Sequence, residues 1–562
     1  MKTIPFARRG FARLSALLLA HYVLFTPTFA QTPDSVVVTG RIRHLTARLY
    51  REAPTVLVSR NNILSASREL VRPAPLAVDG TFRVSLPLIY PQEELYFNYG
   101  RITTAFLAAP GTVSVELDAD SLFTVAVPFA FGGVNAQVNN QFARYKAFEA
   151  ALTGKPDLKK ISQQAGELGV RDAYGTLLTA YQTALNQFAR REQPFPLVAR
   201  WISSANRYNV AGFLYDKAAY EQTRLPTSLD DSLRPPGDVL LTAARAQAMN
   251  RFANYVISRV QEPATGGRSN ALTVRTLANL LDRYGKNLTA DERLRLNDYA
   301  LSNSARQADL RFFDAIIRRS PDTLQQLVAY ENLMQRTRQQ FDTSAVGYVA
   351  AYQLAQSLPR LTLDFARLLF GYARPQVRNP QLAQSLDELY RLEVRDSVRV
   401  RAAAQTLRRA GSRASALEIS PGVFVTRDRE VGGLSLLDQV IEANRGRLLY
   451  VLLTNPDDEA GRQAAQDAQR LRNLYSARDF ALVYVPLPGN DANLWPELAT
   501  RYNLAGDHLL LTDDQLGDVA QRLRADNEIS ATLINRVGKV VKRNAPLPAA
   551  LDEVRQLIDK NR

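Results

Sequence analysis

The stretch that decides the fold runs from Leu448 to Val485: the apolar run Leu448-Leu-Tyr-Val-Leu-Leu453, a helical pattern over Ala460–Leu474, and a second apolar run, Phe480-Ala-Leu-Val-Tyr-Val485. A strand with one face in water alternates apolar and polar residues, so runs without that alternation predict strands buried on both faces. Helices must then cover the sheet on either side. The alternation of strand and helix continues outward. Val423-Phe-Val-Thr426 reads as a strand in front, with a helix at Leu434–Ile441 after it. Behind lie a helix at Leu494–Tyr502, a hairpin of Ser530–Ile534 and Val540-Val541 closed by Val537-Gly538, and a last helix at Ala549–Leu557. An α/β domain over residues 416–562 is the expectation.

Upstream, the periodicity is helical from Asn139 to about Arg413, as in Tyr174, Leu177, Leu178, Tyr181, Leu185 and Phe188. Thr289-Ala-Asp-Glu292 is a capping signal before Leu294. A helical domain of around ten helices over residues 135–415 is expected, with no fixed repeat period. Before it, Ser35–Arg43, Thr55–Ser59, Phe82–Leu86, Glu94–Tyr99 and Thr112–Leu117 are short segments rich in β-branched or aromatic residues. Turn signals at Asp79-Gly80, Tyr99-Gly100 and Pro110-Gly111 separate them, so an all-β sandwich is expected over residues 31–134. The chain is thus multidomain, as its 562 residues require.

Residues 1–30 read as a signal peptide: a positive start (Lys2, Arg8, Arg9, Arg13), an apolar run Leu14–Phe25, and Thr28-Phe29-Ala30 ahead of Gln31. The apolar run falls short of the ~20 residues that span a bilayer. Export to the periplasm or cell envelope, with no membrane span after cleavage, is the expectation. No cysteine follows the cleavage site, so a lipoprotein is not expected. The chain has no cysteine anywhere, which excludes disulfides, a thiolate nucleophile and Cys-ligated metal. The formal charge is +15, but bases and acids are interspersed, as in Arg391-Leu-Glu-Val-Arg-Asp396. That pattern predicts a solvated surface and no nucleic-acid binding.

The order strand–helix–strand–helix–hairpin–helix, with an extra strand in front, resembles a TlpA/ResA-type thioredoxin-like domain. Leu434-Ser-Leu-Leu-Asp438, Arg445-Gly-Arg-Leu-Leu449 and Leu533-Ile-Asn-Arg-Val-Gly-Lys-Val-Val541 are similar to that family's motifs. Val78-Asp-Gly-Thr-Phe82, Leu107–Val115 and Phe131–Asn140 resemble the β-domain that often precedes it. The resemblance implies a Cys-x-x-Cys after the first core strand, and that slot falls near Asp458-Glu-Ala-Gly461, with Arg462 after it. It also implies a cis-proline before the hairpin strand, where this chain has Asn527-Glu-Ile-Ser530. Both halves of the redox site are missing. The positions left as a possible peptide groove are Asp457, Asp458, Glu459, Arg462, Glu528, Ile529 and Ser530.

No other chemistry stands out. His44 and His508 are the histidines beyond the signal segment and give no metal-ligand spacing. The pairs Asp230-Asp231, Asp457-Asp458 and Asp513-Asp514 read as turn or cap residues. No nucleophile elbow, phosphate loop or dinucleotide fingerprint occurs. The expectation is therefore a redox-inactive binding or scaffold module without catalytic residues, cofactor or metal, whose partners are envelope proteins or extended peptides. The alternatives are a thiol–disulfide oxidoreductase, which the missing cysteines oppose, and an unrecognised envelope hydrolase.

Overall fold

The computed structural model describes residues 35–561, apart from 101, 123, 235–238, 262–271, 305, 307–308, 320, 490, 492 and 526–528. The expected signal segment and Glu528 lie outside the described residues.

The N-terminal region is strand-rich. Strands β1 (Ser35–Arg43), β4 (Thr81–Pro87), β7 (Gly111–Asp118) and β8 (Phe129–Gly133) form one sheet in the order β4-β1-β7-β8. Strands β2 (Thr55–Asn62), β3 (Ser65–Pro75), β5 (Gln92–Tyr99) and β6 (Ile102–Ala108) form the second, in the order β3-β2-β5-β6. Val36, Val38, Val113 and Val115 from the first sheet and Val56, Val58, Leu95 and Phe97 from the second share one core. The five segments expected as strands are strands. The sequence did not signal β3, whose Arg72, Pro73 and Pro75 lie on a sheet edge where missing hydrogen bonds cost little.

The central region is helical, with thirteen helices among the described residues between Ala136 and Ala410. The expected capping box is present, Thr289 and Glu292 bonding each other's backbone. The region is not purely α: a two-residue strand, β9 (Leu240–Leu241), pairs in parallel with β5 and ties the helices to the second β-sheet.

The longest helix, Pro380–Ala410, has 31 residues and spans ~45 Å. It contradicts the reading of Arg391–Asp396 as solvated surface, because Glu393 and Asp396 are each 1% exposed. Each has an arginine partner: Arg501 for Glu393, and Arg395 and Arg399 for Asp396. Sequence spacing shows mixed charge but not which face a neighbouring domain covers. Earlier on this long helix, Glu388 meets Arg60 of β2 at 2.5 Å and accepts from Asn62 at 3.0 Å. The long helix therefore clamps the β-region at one level and the C-terminal region at the next, and its end contributes Ala403 and Leu407 to the C-terminal core.

That C-terminal region is a mixed seven-stranded sheet with helices on both faces. Its strands are β10 (Ala414–Ser420), β11 (Val423–Arg427), β12 (Leu448–Thr454), β13 (Phe480–Pro486), β14 (Gly506–Leu509), β15 (Ser530–Ile534) and β16 (Val540–Lys542), in the order β10-β11-β14-β13-β12-β15-β16. Strand β12 lies inside the sheet, parallel to β13 and antiparallel to β15. Every residue of β12 and β13 is buried, as the apolar runs predict. Leu448, Tyr450, Leu452, Leu482 and Tyr484 enter one core, while Leu449, Val451, Leu453, Val483 and Val485 enter the other, which is the period of two made visible. Strand β14 and the helix Asp513–Leu523 were not legible in the sequence; β14 inserts between β11 and β13. Among the described residues, no helix is long and apolar enough to cross a membrane.

Candidate functional site

The sheet brings most of the sequence-selected residues to one end of β12. Leu453 faces Ser530 in the antiparallel register, so the loop leaving β12 starts beside the chain entering β15. The loop leads into a helix at this corner, Glu459–Arg472. Ser530 is buried, and Ile529 is half-buried against the core that faces this corner helix. Asp457, Asp458 and Glu459 are exposed.

Asp458 occupies the N-cap of the corner helix with extended backbone, but its side chain makes no capping bond. The junction is held by Arg462 instead. Its guanidinium donates to the Pro456 carbonyl at 3.0 Å, the Asp457 carbonyl at 3.1 Å and the Glu459 carboxylate at 2.7 Å. The Asp457 amide donates to Asn455 Oδ1 at 3.0 Å, and Thr454 Oγ1 donates to the Gly461 carbonyl at 2.7 Å. Glycine at 461 is needed for clearance, since a Cβ there would lie 2.0 Å from the Asn455 carbonyl oxygen. The slot that resembles a redox loop is thus a turn satisfied by its own bonds. It holds no thiol and offers the charges of Asp457, Asp458, Glu459 and Arg462 and the hydrogen bonds among them.

Glu459 and Arg462 also line a cleft of about 1370 Å³ where the three regions meet. Its floor includes Thr55, Leu57 and Ser59 of β2; one wall is the long helix near Glu393–Arg399, and the other is the corner helix with the helix Leu494–Arg501. Nothing in the order of residues signals this cleft, because its floor on β2 lies more than three hundred residues before its walls.

The two histidines have different surroundings. His508 on β14 is fully buried, stacked on Tyr484 and bonded to Trp495 and the Leu504 carbonyl, so it is structural. His44 follows β1 with left-handed backbone (φ 53°) and is exposed. Its Nδ1 lies 2.9 Å from Asp118 and 3.3 Å from Asp120, and the bond to Asp118 holds its pKa above the usual histidine value. Among the described residues these three donor groups are close enough together to hold a metal ion, but the same contacts describe an exposed ion pair.

Comparison with known proteins found no matching family model, no matching curated protein and no matching solved structure.

Proposed function

We propose that the chain is an exported, redox-inactive binding module of the cell envelope whose C-terminal region is a thioredoxin-like domain that has lost its dithiol chemistry. The strand and helix order supports the thioredoxin-like reading, as does the opening of the corner helix directly after the inner strand β12, where that family carries its thiols. The observation that carries the functional reading is the Arg462 knot. The turn at the expected redox slot is tied down by the arginine that follows it, bonded back to Pro456, Asp457 and Glu459, while the same Glu459 and Arg462 face the cleft between the three regions. A scaffold that keeps this corner ordered without a nucleophile is suited to holding a partner.

A purely structural role for the C-terminal region is the competing reading, favoured by the burial of Ser530 and by the clamp of Glu393 on Arg501. Site-specific photocrosslinking in living cells separates the two. A photoreactive residue at Gln463, exposed on the cleft face of the corner helix, should give discrete adducts that a probe at the remote, exposed Tyr220 does not. The same pattern from both positions would remove the binding reading. Purified protein should leave insulin disulfides intact in the presence of a thiol reductant, and catalysed reduction above background would overturn redox inactivity.

A further inference from the structure

The cleft has a charge pattern that narrows what it can hold. Nine arginines and four carboxylates line it, with no lysine. All four carboxylates are already engaged by cleft arginines: Glu393 and Glu497 by Arg501, Asp396 by Arg395 and Arg399, and Glu459 by Arg462. Arg72, Arg360 and Arg478 line the cleft, are exposed, and have no carboxylate at ion-pair distance among the described residues. Arg472 joins them from the corner helix, its Nη1 donating to the Tyr475 carbonyl at 2.9 Å. Burial, and then the nearby Arg447, hold its guanidinium below the usual arginine range. Each region contributes: Arg72 from β3, Arg360 from the turn after the helix Thr343–Ser357, and Arg472 and Arg478 from the C-terminal region.

The neutral part of the wall distinguishes among anions. Gln463, Gln466 and Gln469 follow one another along the cleft face of the corner helix, and Leu57, Leu70 and Leu474 add apolar surface. Gln469 is held at both ends, accepting from the Ala505 amide at 2.7 Å and donating to Asn473 at 3.2 Å. Gln463 donates to Asp467 at 2.9 Å, which leaves Gln466 and the Gln463 carboxamide oxygen for a ligand. Carboxamides both donate and accept, which suits a peptide backbone, whereas a phosphate chain offers acceptors only. Arginine forks match carboxylates in two-bond geometry. The volume exceeds the 300–1,000 Å³ or so usual for small-molecule sites, so it suits a chain rather than a metabolite.

We propose that this cleft binds an extended acidic peptide segment of a partner protein, its carboxylates pairing with Arg72, Arg360, Arg472 and Arg478 and its backbone meeting Gln466 and the carboxamide oxygen of Gln463. This rests on the binding reading above and names the ligand class.

Fluorescence anisotropy of the full chain with a short labelled peptide alternating Glu and Ala tests it. Saturable binding is expected, weakening as salt rises. Arg72→Glu and Arg478→Glu should each weaken it about tenfold, as loss and reversal of a charge contact do. Arg171→Glu, at an exposed helical position outside the cleft, should change it less than about twofold. A Gln/Ala peptide binding equally well, an equal loss with Arg171→Glu, or tighter binding of short polyphosphate would each overturn the proposal. Absence of peptide binding while Gln463 crosslinks persist would remove the acidic-peptide ligand but leave the binding module standing. Absence of both would remove both.

Discussion

Trp495 donates its indole Nε1–H to Nδ1 of His508 at 3.0 Å, and the other ring nitrogen of that histidine donates to the Leu504 carbonyl at 2.8 Å. The pair fixes a neutral tautomer, since a protonated ring would have no acceptor to offer Trp495. Complete burial pushes the His508 pKa down from 6.5 to about 4. The unfolded chain therefore takes up a proton near pH 6.5 that the folded chain refuses until about pH 4. In that window the unfolded state binds more protons, and stability falls as pH falls. The loss is on the order of 3 kcal/mol between the two values. Urea unfolding at pH 7 and pH 4.5 measures it. His508→Gln keeps a donor and an acceptor but cannot titrate, so its profile should be flatter; an identical slope would remove His508 as the cause.

The buried Glu393–Arg501 pair holds the long helix Pro380–Ala410 to the C-terminal region, with 2% and 9% of the side chains exposed. Removing Arg501 takes the charged partner from a buried carboxylate that also accepts from the Ser397 hydroxyl at 3.2 Å. Arg501→Met should cost about 3–5 kcal/mol in chemical unfolding. The double change with Glu393→Met should recover much of that, because the stranded carboxylate goes too. A double variant no better than the single would contradict this.

The clasp on the other side of the long helix is graded. Glu388→Ala removes the 2.5 Å contact to the buried Arg60 and one of the two acceptors for Asn62, whose amide also donates to the Ser385 carbonyl, and should destabilise by about 3–5 kcal/mol. Glu93 faces Arg60 at only 3.7 Å, while its other oxygen accepts from the Tyr90 amide at 2.7 Å and from the Ile89 amide. Glu93→Gln keeps an oxygen for those amides and should cost about 1 kcal/mol or less. The reverse order in thermal melts would show that Arg60 is neutralised mainly by Glu93.

Gly461→Ala tests the corner between β12 and the helix Glu459–Arg472. The added methyl would sit 2.0 Å from the Asn455 carbonyl oxygen, a backbone atom that cannot swing aside. Overpacking of this kind costs roughly 1–3 kcal/mol. Gly517 lies on the exposed side of the helix Asp513–Leu523, where an added Cβ would meet nothing within 4 Å, so Gly517→Ala should be neutral or mildly stabilising. Equal melting temperatures for the two variants would mean that the corner gives way.

The three-part order and the central strands could be read from the residues in line, because β12 and β13 are buried on both faces and carry no polar alternation to confuse with anything else. So could the absence of cysteine. Other features exist only once the chain is folded. Strand β14 was hidden by the half-buried Asp507 and the buried His508, which Asn444 and Trp495, distant in sequence or on another element, supply with hydrogen bonds. Glu393 and Asp396 read as solvent-facing until Arg501 and Arg399 reach them. The arginine cleft is the clearest case. Arg72, Arg360 and Arg478 are scattered along the chain, and they share one field only because the long helix brings three regions together around it. Hydrophobic periodicity is local and can be read along a chain; electrostatic neighbourhood depends on distances that only folding sets.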